Sequence, residues 1–464
     1  MTKIKYIITL FVISGWIVSC KVVKNYQQPQ SELSNQNLYR ETTNNDSIST
    51  GKVAWTEIFR DEKLQNIIRK VISNNLDLKI AIERINQADA VFKQSQLATL
   101  PVLSAYASPS VSKNSPAAQN VLATEAIPNF QLGISAGWEI NIWGKISSAK
   151  RSAYANFLQT DAAKRAVQTQ LVAQAADLYY QLLSLDKQLE ITKQTIEIRK
   201  KDLESSKLLM DAAYLTGADI AQSEANLYSA QLSVPDLEVS IAQTENALSI
   251  LMNEIPQNID RNSIDSQEIY SNLRTSIPAL LLKNRPDVQA AELAFRTAFE
   301  NENIALASLY PSINISASLG LSSRYLSDFF TNSVFYSAAG TISQNIFQQG
   351  TVKTQIKTTE SVKQQALYAF QQTVLTAGSE VSNALLSFQK AREKEDFRKS
   401  EISSLQTAWE FSKELLVYSN KANYINVLTA EQSLLQARLS AVNDKLQQLQ
   451  AVTEFYRALG GGQF

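Results

Sequence analysis

Few side chains in this sequence are equipped for covalent or acid–base chemistry. Histidine is absent and cysteine occurs once, at Cys20. There is no glycine loop of the kind that cradles phosphate and no spacing of metal ligands. Catalysis by carboxylates alone has nothing to support it, so an enzyme is not expected, nor a cofactor or metal. Lysine plus arginine equals aspartate plus glutamate at 44 each, which lacks the basic excess that nucleic acid binding requires. The 464 residues are 44% hydrophobic and 19% charged, the composition of an ordered protein.

The residue with chemistry left to do is Cys20. Lys3 and Lys5 precede an apolar run from Ile7 to Val18 that ends in Ser19-Cys20, which reads as an n-region, an h-region and a small residue before a cleavage point. A run of about a dozen residues is shorter than the roughly 20 of a spanning helix, so it signals export. Ile17-Val18-Ser19-Cys20 resembles a bacterial lipoprotein processing box, with isoleucine where leucine is commoner. That resemblance implies that Cys20 becomes the acylated first residue. A lone cysteine leaves the mature chain no internal disulfide. Without residues 1–19 the balance is 42 positive against 44 negative.

The elements behind this anchor come in two copies. Asn75-Leu76-Asp77 stands 24 residues before Pro101, counted from the aspartate, and Asn284-Arg285-Pro286-Asp287 stands 24 before Pro311. The offset is 210. Asp177 to Ser184 lies over Glu380 to Ser387, and Glu224 to Leu227 over Glu431 to Leu434, at offsets of 203 and 207. Each copy reads as helix, two strands, very long helix, helix.

Residues 145–216 contain neither glycine nor proline, enough for roughly 100 Å of helix. Ala175, Leu182, Leu189, Ile196, Leu203 and Met210 recur every seventh residue, as do Leu428, Leu435, Val442, Leu449 and Tyr456 in the second copy. Seven-residue periodicity predicts coiled-coil packing. Residues 351–459 hold only Gly378 and no proline. Pro235 falls inside a helical pattern and is expected to bend or interrupt it. The short segments alternate instead. Phe130, Leu132, Ile134, Ala136, Trp138 and Ile140 are apolar with polar or small neighbours between, and Ile313 to Leu321 repeats this. Their partners, near 101–112 and 334–347, alternate less cleanly.

Segments of this length suit tilted strands crossing an outer membrane. Four strands cannot close a barrel, and open edges in lipid leave backbone groups unpaired. Several chains must then share one barrel, eight strands from two or twelve from three. The competing reading has solvent-facing hairpins that cap a coiled coil.

From about Trp55 onward the chain resembles the TolC-like outer membrane efflux channels. The likeness is carried by Trp55, Phe59, Asp61 and Leu64, by Trp138 to Gly144, by Arg285-Pro286-Asp287-Val288, by Leu309 to Ile313, and by Tyr456 to Gly462. It implies a mainly α protein with membrane β-barrel strands, assembled as a homotrimer with a twelve-stranded barrel on an α-helical tunnel. It further implies a periplasmic adaptor and an inner membrane pump of the resistance-nodulation-division type, with cargo expelled through the outer membrane. Export of proteins is an alternative within the likeness, and a structural periplasmic coiled-coil lipoprotein is one outside it.

The resemblance also locates a periplasmic gate at two turns, near Tyr214 to Asp219 and Tyr418 to Asn426. Relatives often carry a ring of carboxylates there. This chain has Asn426 and Thr429 at the matching positions, and Lys421 where a glycine is usual. Asp219 matches a position that hydrogen-bonds to the tyrosine matched by Tyr418, and it also reads as a helix N-cap. Pro286 and Asp287 read as a helix start. Trp138 and Trp143 are expected at the lipid headgroups or packed in a collar below them. The division expected is 1–19 signal peptide, 20–54 lipid-anchored extension, 55–260 first repeat, 261–283 linker and 284–464 second repeat.

Overall fold

The computed structural model describes residues 22–29, 53–113, 115, 126–270, 284–418 and 424–461. Cys20 and Lys421 lie outside the described residues. In chain order the elements are α1 (Trp55–Ile58), α2 (Glu62–Asn74), α3 (Leu76–Leu97), β1 (Val102–Ser112), β2 (Ile127–Glu139), α4 (Lys145–Asp211) and α5 (Gly217–Leu251), then α6 (Pro286–Ala307), β3 (Ser312–Ser323), β4 (Val334–Ser343), α7 (Thr351–Tyr418) and α8 (Tyr424–Ala458). Each half reads helix, strand, strand, long helix, helix. Among the described residues no helix is long and apolar enough to cross a membrane.

The chain divides into two compact units. The first holds the sheet with residues 85–97, 145–159, 291–307 and 351–370 of the adjoining helices. Its strand order is β1-β2-β3-β4, every neighbour antiparallel. Strand β2 of the first repeat therefore bonds directly to β3 of the second. Register sorts the side chains into rows. Ala105, Ile134, Leu319 and Tyr336 form one row, and Leu103, Ala136, Ala317 and Ala338 another on the same face. On the opposite face runs a row of four serines, Ser104, Ser135, Ser318 and Ser337. The alternation of β1 and β4 is blurred in sequence because alanine and serine are both small. Pairing with β2 and β3 assigns their faces.

Beside the serines lies the row Tyr106, Gly133, Gly320 and Phe335. A Cβ at Gly133 would sit 2.8 Å from the Leu319 carbonyl oxygen and 3.1 Å from the Tyr106 phenol, and one at Gly320 would collide with the Leu132 carbonyl. Glycine is required there by close backbone approach. Trp138 donates to the Thr99 carbonyl at 3.0 Å, and Trp143 donates to Pro311 at 2.7 Å while stacking on Tyr310. Residues 22–29 lie along α6. Asn303 exchanges two bonds with the Lys24 backbone, and the Tyr26 ring packs against Phe295 and Phe299.

The second unit buries Leu64, Ile68, Tyr179, Leu182, Leu183, Leu248, Leu449 and Tyr456 in one core, with Phe59 edge-on to Tyr456 at 5.4 Å. Of the seven-spaced set, Ala175, Leu182 and Ile196 are buried, while Leu189, Leu203 and Met210 are half-buried. Helix α4 ends at Asp211, short of the glycine-free limit at 216. Ala213 takes a φ of 61°, and Tyr214 N–H bonds back to Leu209 while Ala213 N–H bonds to Met210, both at 2.8 Å. This double closure satisfies the last carbonyls. The same closure ends α5 at Asn253 and α8 at Gly460, at matching places in the two repeats. Gly461 is tied to glycine by space, since a Cβ would overlap Thr169. Helix α5 runs through Pro235 without interruption, contrary to one of the two expectations for that residue. Helix α6 begins at Pro286, as expected.

Candidate functional site

The ends of α4, α5, α7 and α8 meet the residues expected at the gate. Helix α5 begins with Thr216 as N-cap and Asp219 three residues later. The Asp219 N–H donates to Thr216 Oγ1 at 3.4 Å, while Asp219 Oδ2 accepts from the Thr216 N–H at 2.9 Å and from its hydroxyl at 2.7 Å. This is a reciprocal capping box. Asp219 therefore caps its helix from the first turn, and Thr216 occupies the N-cap expected for Asp219. Tyr418 closes α7 and is almost wholly exposed, at 86%. Asn426 and Thr429 sit on the exposed face of the first turns of α8. Among the described residues it is Thr216, and not Tyr418, that Asp219 engages.

Sequence reasoning gave Glu431 no partner. The structure pairs it with Arg199: the guanidinium Nε of α4 meets Glu431 Oε1 of α8 at 2.8 Å, with side-chain exposures of 9% and 8%. Arg199 Nη1 also donates to the Asn226 carbonyl on α5. Enclosed charges survive where each finds partners of good geometry, and here one arginine joins three helices. Tyr424 adds a second tie, its hydroxyl donating to Ser223 Oγ at 3.0 Å. Lys413 of α7 reaches Asp202 of α4 at 2.8 Å. The available sequence signal was the placement of Glu431 on the buried stripe of α8, beside Val427 and Leu434.

Other charged groups hold the frame of this unit. Asp61 caps α2 and also accepts from Tyr179 at 2.9 Å, Asn262 at 3.0 Å and Gln267 at 2.6 Å. Burial alone would raise its carboxyl, but the bonds from Gln267, Tyr179 and Asn262 outweigh it and hold the group below the usual carboxylate range. Arg285 donates to the Ala458 carbonyl at 2.8 Å and pairs with Asp287 and Glu380. Burial would lower its pKa; the two carboxylates raise it instead. Asp177, which matches Glu380 in the first repeat, forms no arginine ion pair among the described residues, and Thr453 and the more distant Arg457 only partly offset its burial. Burial and the nearby Glu454 push its carboxyl up to about 7.

A duplicated helical chain whose sheet is apolar on one face and hydroxyl-bearing on the other has the character of a membrane channel subunit. The profile described as outer membrane efflux protein matches residues 67–254 and 277–461. The chain belongs to that family, whose members are channels. It is similar to the solvent efflux pump outer membrane protein SrpC of Pseudomonas putida, 27% identical over 96% of this chain and 95% of that one. It is also similar to the cation efflux system protein CusC of Escherichia coli strain K12, 24% identical over 97% of this chain and 98% of that one. The structure of the outer-membrane channel OprN has the same fold, with a TM-score of 0.86 at 23% identity over 96% of this chain and 99% of that chain.

Proposed function

We propose that this chain is the outer membrane channel subunit of a tripartite efflux system, passing small toxic molecules from an inner membrane pump and a periplasmic adaptor to the outside. The observation that carries this reading is the register of the sheet, which gathers apolar side chains on one face across four strands and leaves β1 and β4 as edges. Strands of 11, 13, 12 and 10 residues are long enough to cross an outer membrane. Lipid tolerates no open edge, so β4 of one copy pairs with β1 of the next, and three copies close a twelve-stranded barrel. The relatives named for solvent and for cation efflux support transport of small species and do not single out one cargo. The mass of the detergent-extracted particle tests the assembly. Three chains are expected, and a dominant monomer or dimer rules the barrel out.

In this reading residues 1–19 are removed on export, 20–54 carry the acylated Cys20, and the repeats 55–260 and 284–464 are joined by 261–283. Acylation adds about 0.8 kcal/mol of attachment per buried CH₂. Cys20→Ser abolishes acyl labelling and slows processing but leaves the barrel able to form. A mature N-terminus other than residue 20 excludes the anchor. At the entrance, Asp219 accepts from the Tyr418 phenol in the closed channel, and the neutral Asn426 and Thr429 stand where relatives carry acids.

A further inference from the structure

A cavity of about 550 Å³ lies among α4, α7, α8 and the turn Ile264–Ser266. All of these stretches belong to the second compact unit. Five cations line it, Lys187, Arg398, Lys399, Arg438 and Lys445, against three carboxylates, Asp265, Glu395 and Asp444. Each carboxylate is already taken. Lys187 holds Asp265 at 2.9 Å, Lys399 holds Glu395 at 2.6 Å and Arg398 holds Asp444 at 2.7 Å. Arg438 and Lys445 are left over. Among the described residues neither forms an ion pair, and each spends a bond on a neutral oxygen: Arg438 donates to the Gln406 side chain at 2.8 Å and Lys445 to the Gln267 carbonyl at 3.0 Å. A guanidinium has five N–H donors and an ammonium three, so both have donors to spare.

The two residual cations stand seven residues apart on α8, about 10 Å along the helix. Ala441 and Val442 fall between them on the same wall, and Ile191 and Ile264, both buried, extend the apolar surface. Arg438 and Lys445 are themselves half-buried, a setting in which an unpaired charge is costly. Burial lowers the Lys445 pKa, against the opposing pull of Glu395 and Asp265 and with some help from Lys399. The geometry points to a binding site for a small organic dianion, an apolar body flanked by two acidic groups, with Arg438 and Lys445 each taking one acidic group and Ile191, Ile264 and Val442 covering the body. A cavity of this volume suits a small-molecule ligand. The site lies within one unit and does not depend on the channel reading, which the particle mass tests separately.

Naphthalene-2,6-disulfonate is the probe, titrated calorimetrically into the full-length protein in a neutral detergent, with naphthalene-2-sulfonate, naphthalene-2-methanol and sodium sulfate as comparisons. One disulfonate per chain is expected, bound about tenfold or more tighter than the monosulfonate, because a second charge-assisted contact is worth at least that factor. The alcohol and sulfate are expected to bind more weakly still. Arg438→Gln and Lys445→Gln are each expected to bring the disulfonate down to the affinity of the monosulfonate. Both leave the three ion pairs of the cavity in place, so their unfolding temperatures are expected to match the unaltered protein. Ala441→Phe fills the cavity and is expected to abolish binding, whereas Lys200→Gln, at an exposed cation of α4 that pairs with Glu197, changes nothing. Sulfate as tight as the disulfonate reveals a site for adventitious ions only, and an alcohol as tight reveals apolar adsorption. Either result overturns the inference, as does disulfonate binding that is absent or unaltered in both glutamine variants.

Discussion

Asn75 and Arg285 stand 210 residues apart and fasten the same joint. Asn75 Nδ2 donates to the Leu251 carbonyl at 2.9 Å, and Arg285 Nη1 donates to the Ala458 carbonyl at 2.8 Å. Each ties the start of a helix leading into a strand pair, α3 or α6, to the last residue of a closing helix, α5 or α8. The chemistry has diverged within the duplication. Asn75 uses its oxygen to cap the Leu78 N–H, whereas Arg285 gathers Asp287 and Glu380.

Arg285→Ala is expected to cost about 3 kcal/mol in denaturant unfolding of the solubilised protein, the low end for a broken buried pair because its carboxylates keep some water. Asn75→Ala is expected to cost about 1 to 2 kcal/mol, the value of a buried neutral hydrogen bond left unmade. Arg285→Lys recovers little of the loss, since an ammonium lacks the fork that serves a carbonyl and two carboxylates together.

At the entrance, Tyr418→Phe and Asp219→Ala are expected to raise the resting conductance of single channels in planar bilayers. Asp219→Ala also breaks the capping box, so Thr216→Ala is the control. It removes the cap, at about 1 kcal/mol, but keeps the carboxylate, and its conductance is expected to match the unaltered channel. Equal increases in Thr216→Ala and Asp219→Ala would assign the effect to helix fraying and remove the latch.

Glu431 is committed to Arg199, and Asn426 and Thr429 are neutral, so millimolar divalent cations are expected to block the channel only weakly. Strong block contradicts this. Glu431→Ala strands the Arg199 guanidinium out of water, with an expected cost of about 3 kcal/mol or more. The loss falls where three helices join, so amide exchange is expected to speed up at residues 217–226 and 424–431 and to stay unchanged around Asp61.

Asp177 gives the stability a pH dependence. Its folded pKa of about 7 lies above the usual unfolded value of about 3.9. Folding therefore favours the protonated form. The contribution is fully present below about pH 4 and is lost as pH rises through 7. Asp177→Asn, which keeps the neutral shape, is expected to raise the unfolding temperature at pH 8, with a gain that shrinks toward pH 4. A gain independent of pH would mean that the side chain acts through packing.

Much of this protein is legible in the order of its residues. Proline and glycine leave gaps so long that only helices fill them, and a period of seven against a period of two separates helix from strand without knowledge of neighbours. Local signals also fixed the start of α6 at Pro286, because proline fits a first helical turn. They failed at the end of α4, where Ala213 adopts a left-handed conformation that glycine would have announced.

Faces and partners were decided by tertiary structure. The alanines and serines of β1 and β4 look alike to a periodicity, and only register against β2 and β3 separates an apolar wall from a hydroxyl one. Glu431 and Asp219 are both acidic residues near helix starts. One is buried against Arg199, 232 residues away in sequence, and the other is spent on a cap three residues away. Sequence determines periodicity and propensity, which are properties of neighbouring residues. The fate of a charge depends on what the fold brings within about 3 Å of it, and for Glu431 that came from a different helix.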